Sequence, residues 1–222
     1  PEVSLVADGA IAANKPVAVQ SDGKIKEIKE FAVSAALGSA TIIDSSQGNT
    51  SNIEAVCSVG DGKFVVIWLC DSDGDDLYAS CGTVTGTTIG TMGTPVKVAD
   101  NVGERVARVA YDSVSDAILM IYSNNGSTLM RAASISGTTL SLGSEVEHGS
   151  TCKGIAVAGG GGGFMTIRQK SNDCEVRAVT VSGNTITAGN DTNSNLNSSC
   201  TENRDCVDLT YSSDDDKYVL MT

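Results

Sequence analysis

Three stretches of this chain restate one another at a spacing near 50 residues. TGTTIGTMGTPVKV begins at Thr85, SGTTLSLGSEV at Ser136 and SGNTITAG at Ser182. Each reads as a tight polar turn, a short alternating strand and a second glycine. Each follows one strand-like run (Leu77 to Cys81, Leu129 to Ala133, Val176 to Val181). That run in turn follows another (Phe64 to Trp68, Ile118 to Tyr122, Phe164 to Arg168). Three columns set the register. Phe64, Ile118, Phe164 and Tyr218 lie 54, 46 and 54 residues apart. Leu77, Leu129 and Val176 lie 52 and 47 apart, and Gly86, Gly137 and Gly183 lie 51 and 46 apart. A period of this length with four strand signals per unit predicts an all-β fold of tandem four-stranded, β-propeller-like blades.

The blades fall at about 53–100, 101–150 and 151–200, with a partial one at 201–222. Inner strands are small and apolar: Ala55-Val56-Cys57, Val109-Ala110-Tyr111, Ile155-Ala156-Val157 and Leu209-Thr210-Tyr211. Second strands such as Phe64 to Trp68 are continuous apolar runs, as strands buried on both faces are. Leu37 to Ile43 matches the last strand of a repeat, so the repeat domain is taken as 37–222. Residues 1–36 form a small β-rich module, with turn signals at Asp8-Gly9 and Asp22-Gly23. Its KIKEIKEFAVSAAL segment has a helical alternative, with Ile25, Ile28, Phe31 and Ala35 on one face. Three full repeats are too few for an ordinary closed ring, and an open stack leaves apolar faces uncovered. The expectation is a fragment of a longer chain, the other reading being completion by partner chains.

Composition narrows the partners. The net charge is −12, from 15 basic and 27 acidic residues. Phosphate backbones and anionic membrane surfaces are repelled, so neither nucleic acid nor membrane is an expected partner. No apolar run approaches the roughly 20 residues that span a bilayer. Aromatic residues are 4% of the chain, so the core must be built from Val, Ile, Leu, Ala and Met.

Seven cysteines, an odd number, leave at least one unpaired within the chain. None forms a C-x-x-C pair. Cys200 and Cys206 bracket a short polar loop, and Cys70 and Cys81 sit on neighbouring strands of one hairpin; both are disulfide candidates. Cys57 and Cys152 read equally well as small buried hydrophobes. Asp71, Asp73 and Asp75 alternate in a tight loop, the best Ca²⁺ candidate. The glycine falls at loop position four and Gly82 at twelve, so the EF-hand order fails and a solvated turn competes. No other cofactor is expected. Gly159 to Gly163 lacks the lysine of a phosphate loop and reads as a flexible inter-strand turn. His148, the one histidine, reads as a surface residue. Asn49, Asn125, Asn190 and Asn197 head glycosylation sequons in predicted loops.

Gly82 to Val96 and Ala133 to Val146 resemble the roughly 50-residue repeats of virion structural and tail-fibre-like proteins of marine phages. GAIAANKPVAVQSDGKI is similar to a short module that precedes such repeats. The resemblance implies an assembled virion or extracellular surface protein. The expected function is therefore non-enzymatic: a structural or adhesive protein of a virion tail or fibre. Such a protein presents loops such as Asp71 to Asp76 and Ser123 to Ser127 for host-surface attachment. Its partners would be further copies, other virion or filament proteins and a cell-surface glycan or receptor. A secreted or cell-surface filament protein or adhesin of a microbe or alga is the alternative. A carbohydrate-active propeller enzyme is the third, although Ser72-Asp73-Gly74 does not reproduce the sialidase-type turn.

Overall fold

The computed structural model describes residues 17–19, 24–27, 50–102, 106–150, 154–170, 173–197 and 207–221. They belong to two compact units, Pro1–Leu37 and Gly38–Thr222. In the first unit, β1 (Val17–Val19) pairs antiparallel with β2 (Ile25–Glu27). Ile25–Glu27 is thus strand, which corrects the helical alternative at its start. The rest of that segment, and Leu37 to Ile43, lie outside the described residues.

The second unit is built of antiparallel sheets taken in chain order. The first sheet holds β3 (Thr50–Ser58), β4 (Lys63–Cys70) and β5 (Asp76–Thr85), then β6 (Thr88–Met92) and β7 (Val96–Ala99), both paired with β5. The second holds β8 (Ala107–Asp112), β9 (Ala117–Asn124), β10 (Ser127–Ser136) and β11 (Thr139–Ser150). The third repeats the plan with β12 (Ile155–Gly160), β13 (Gly163–Lys170) and β14 (Asp173–Ser182). Its β15 (Thr185–Ala188) and β16 (Thr192–Asn197) share β14. The fourth has β17 (Asp208–Ser212) and β18 (Lys217–Met221). The last strand is continuous only in the second sheet. In the first, Pro95 lacks the N–H a ladder needs, and the strand breaks into two pieces there. Among the described residues the sheets close into no barrel or ring. Among the described residues the only helical piece is one 3₁₀ turn, Asp71–Asp73, and no helix there is long and apolar enough to cross a membrane.

Turn chemistry makes the sheets superimposable in sequence. Gly86, Gly137 and Gly183 have φ of 58°, 62° and 58°, the left-handed conformation glycine tolerates. Asp61, Asp116 and Asp216 hold φ of 49° to 52° at the turn between the first two strands of their sheets. Tyr111 Oη donates to Asp116 (2.8 Å) and Tyr211 Oη to Asp216 (2.6 Å), locking two of those turns.

Stacking buries what one sheet alone cannot. Val65, Ile67 and Leu69 of the first sheet meet Val109, Ile118 and Met120 of the second. Leu119 and Ile121 of the second meet Val157 and Phe164 of the third. Ala156, Ala158 and Ile167 of the third meet Leu209, Tyr211 and Tyr218 of the fourth. Ile118, Phe164 and Tyr218 of the Phe64 column therefore each face the preceding sheet. The Leu77 column does not hold. Trp68, Tyr122 and Arg168 pair with Tyr78, Leu129 and Glu175. The true column is Tyr78, Leu129 and Glu175, because the β4–β5 loop is longer than the two-residue β9–β10 turn.

Glycines permit the closest approaches. A Cβ on Gly93 would lie 2.0 Å from Thr138 O, and one on Gly143 would lie 1.9 Å from Asn184 O. Each is the last glycine of its turn-and-strand stretch, after Gly86 and Gly90 in one case and Gly137 in the other, seated against the next sheet's hairpin. The Gly159 to Gly163 run is corrected in the same terms. Only Gly161 and Gly162 form the turn; Gly159 and Gly160 end β12 and Gly163 begins β13. A Cβ on Gly159 would lie 2.5 Å from Tyr111 O, and one on Gly160 2.1 Å from the Tyr211 ring. Tyr218 Oη donates to Gly160 O (2.7 Å) and Gly163 O (3.0 Å). The run is a flat seat for two flanking strands.

Candidate functional site

The β4–β5 loop, the link after β7 and the β9–β10 turn gather at one end of the first two sheets. Val102 N donates to Asp75 O (2.8 Å), Asn101 N to Asp76 Oδ1 (2.8 Å) and Asn124 Nδ2 to Asp100 O (3.1 Å). These bonds make one rim of segments far apart in sequence. The rim is anchored through rings. Trp68, buried on β4, stacks on Tyr78 of β5 at 6.1 Å and 22°. Tyr78 Oη donates to Asp73 Oδ2 (2.6 Å). Lys97 of β7 reaches over the Tyr78 ring to Asp76 (2.5 Å), Asp100 (3.1 Å) and Asp73 (3.6 Å).

The electrostatics follow from those contacts. The Tyr78 hydroxyl, with Lys97 adding to it, holds the Asp73 carboxyl below its ordinary range. The same hydrogen bond, with burial, pushes Tyr78 up to about 12. Bonds to Asp76 and Asp100 hold Lys97 above its ordinary value. One lysine stands among five carboxylates, Asp71, Asp73, Asp75, Asp76 and Asp100, so the rim is an acceptor-rich, negative surface. Such a surface favours cationic groups and the hydroxyls of sugars.

Asp71, Asp73 and Asp75 do sit together in this loop. No three His, Cys, Asp or Glu side chains among the described residues are grouped to hold a metal ion. Asp73 is engaged by Tyr78 and Lys97 instead. The Cys70–Cys81 pairing is corrected. Cys70 pairs across the ladder with Asp76 and Cys81 with Val65, and the two thiols lie on opposite faces of the sheet. Cys57 and Cys81 flank Val65 on one face, and burial pushes Cys57 up to about 12, so its thiol is an inert core group. Cys200, Cys206, Cys152 and Asn49 lie outside the described residues. Asn125 is exposed in the β9–β10 turn and Asn190 is exposed in the link after β15. Asn197 ends β16 and so is not in a loop.

His148 is corrected most sharply. It lies on β11, 1% exposed, between the second and third sheets. Its Nε2 is 2.8 Å from Thr166 Oγ1, and that hydroxyl donates to Arg177 O (3.2 Å). The hydroxyl has one proton, so Nε2 carries the imidazole proton and Nδ1 is left without a hydrogen bond. Asp191 stands 3.7 Å from Nδ1 but is gripped by Arg177 through two bonds of 2.7 and 2.6 Å. Arg168 pairs with Glu175 and donates to Ser150 O (2.8 Å). Burial, then Arg177, pushes His148 down to about 4, outweighing the pull of Asp191.

The order Thr166, His148, Asp191 has the outline of a nucleophile, base and acid. Thr166 is fully buried with its proton committed to a backbone carbonyl, so no substrate carbonyl can meet it. The cluster is a hydrogen-bonded rivet: its ion pairs lie within the third sheet, and Arg168, Arg177 and Thr166 reach Ser150 O, Glu147 O and His148 of the second. Sequence reasoning passed over it because Arg168 falls in a column whose other members are Trp68 and Tyr122. That break in an aromatic column was the available signal. At the far end of the first two sheets, a cleft of about 110 Å³ opens among Asp61, Lys63, Tyr111 and Asp116. Small-molecule pockets usually run to about 300–1,000 Å³. Among known proteins, the chain matches no family model, no curated protein and no solved structure.

Proposed function

We propose that this chain is a non-enzymatic structural and adhesive protein of a virion tail or fibre. Its sheets are propeller-type blades, and its hairpin rim is the surface offered to a host cell. One observation carries the reading: the rim joins loops of two sheets and is tied into the core through Trp68, Tyr78 and Lys97. A rigid framework that holds variable hairpins at one end is suited to recognition by geometry rather than by chemistry. Asp71 and Asp75 add their negative charge to this loop, and an acidic, acceptor-rich loop suits a glycan or a basic receptor surface.

The test is attachment. Asp71→Asn with Asp75→Asn removes two charges and keeps a residue type that tolerates the positive φ of 63° at position 75. The double variant should bind host cells at least about tenfold less well, with circular dichroism checking that the fold is retained. The native protein should also co-purify with capsid and tail proteins. Undiminished binding by the double variant removes the rim from the attachment surface.

A further inference from the structure

His148, the one histidine, stands off the ladder around it. Glu147 and Gly149 pair with the consecutive residues Leu129 and Thr128 of β10, so His148 is the extra residue of a β-bulge. A bulge interrupts strand alternation and re-aims a side chain. Here the imidazole is carried into the junction with the third sheet, where it is 1% exposed and its Nε2 meets Thr166 Oγ1. Gly149 makes room beside it. A Cβ there would lie 2.5 Å from the Arg168 guanidinium, so the missing side chain lets that cation lie against β11.

Nδ1 is the open position of the ring. It is buried, holds a lone pair and receives no hydrogen bond. Among the described residues, the charged groups around it are already matched. β13 brings Arg168 and β14 brings Glu175, which pair with each other. β14 also brings Arg177, which grips Asp191 of the β15–β16 link through two bonds. On the ring's own strand, the Glu147 side chain turns to Ser127, and β10 offers the uncharged Thr128. Two guanidinium groups therefore balance two carboxylates beside a neutral imidazole. A proton on Nδ1 makes three cations against two anions inside the junction, and the carboxylate 3.7 Å away is already bound to Arg177. The chain has no second histidine, so no other junction responds through an imidazole.

We propose that His148 is an acid-operated latch: a proton taken up from solvent at Nδ1 parts the second sheet from the third and leaves the first junction closed. The neutral ring favours the closed junction, and the charged ring favours the open one, where water solvates it. Release sets in as pH falls below the ordinary 6.5 and levels off below the folded value of about 4. The latch stands apart from the adhesive reading, because it uses no rim residue.

Two methionines on opposite faces of the second sheet read the two junctions separately. Met130 is buried against the third sheet and Met120 against the first, both at 0% exposure. Pulsed oxidation of the full chain by hydrogen peroxide, read by mass spectrometry, reports how often each thioether is uncovered, and exposed Met221 normalises the rate at each pH. Between pH 7 and pH 5 the Met130 rate should rise at least about tenfold, while the Met120 rate stays unchanged. In His148→Gln, whose amide can still donate to Thr166, the Met130 rise should vanish. The imidazole resonances of the native chain, unambiguous with a single histidine, should titrate well below 6.5. A ring that titrates at 6.5, a Met130 rate indifferent to pH, or Met120 and Met130 rising together overturns the proposal, and none of these needs a variant. A Met130 rise that survives in folded His148→Gln overturns it as well.

Discussion

A single methyl group at position 143 would lie 1.9 Å from the carbonyl oxygen of Asn184 in the next sheet. Backbone on both sides leaves nothing to rotate away, so the sheets must separate. Gly143→Ala should cost about 1–3 kcal/mol, the usual range for overpacking, read as a drop in the denaturation midpoint without a change in slope. His148 makes a second prediction at this scale. Its folded value of about 4 lies below the ordinary 6.5, so the unfolded chain takes up a proton at a higher pH than the folded one does. Stability from the neutral imidazole is complete above about pH 6.5 and is lost as pH falls toward 4. Asp191, held below its ordinary range despite burial by Arg177, adds to the loss at the acid end of that window. Denaturant midpoints at pH 7 and pH 4.5 should differ clearly in the native chain. The difference should shrink in His148→Gln, which cannot titrate; an equal difference in both chains would assign it to other groups.

At the scale of the element, the Gly159 to Gly163 seat and the Lys97 network can be separated by partner deletion. Gly160→Ala places a methyl 2.1 Å from the Tyr211 ring, so it should destabilise the β12–β17 junction. Tyr211→Ala removes that obstacle, and the double variant should be more stable than the sum of the single losses predicts, by about 0.5–3 kcal/mol. Lys97→Met leaves the Asp76 carboxylate, 5% exposed, with its Asn101 donor but no cation. A lower denaturation midpoint is expected, largely recovered by adding Asp76→Asn. These elements also mark where sequence could and could not be read. The strand order was legible because the Gly86, Gly137 and Gly183 turns and the apolar Phe64 column repeat visibly. The register of β5 was not, because a β4–β5 loop longer than the two-residue β9–β10 turn shifts parity without changing composition. The glycine run was misread for a related reason: close approach and flexibility both call for glycine, and only a neighbouring strand tells them apart. The rim loops were legible as loops. Their tie to Trp68 was hidden because it runs through the Tyr78 ring, whose place opposite Trp68 depends on the register of β5.

For the whole molecule, the arrangement of cores decides how damage spreads. Among the described residues of the second unit, neighbouring sheets meet through separate clusters between the first and second, second and third, and third and fourth sheets. Stability in such an array is a sum of sheet terms and junction terms rather than a property of one shared core. Removing residues 207–222 should therefore uncover Ala156, Ala158 and Ile167 while leaving the first junction intact. The sole tryptophan, Trp68, is 1% exposed in the first sheet and reports on the far end of the stack. Its emission should keep the wavelength of a buried indole in the truncated chain, while a hydrophobic dye binds the newly opened third sheet. A red-shifted Trp68 would instead require cooperativity across two intervening junctions. That would mean the sheets fold as one cooperative body rather than as a line of neighbours.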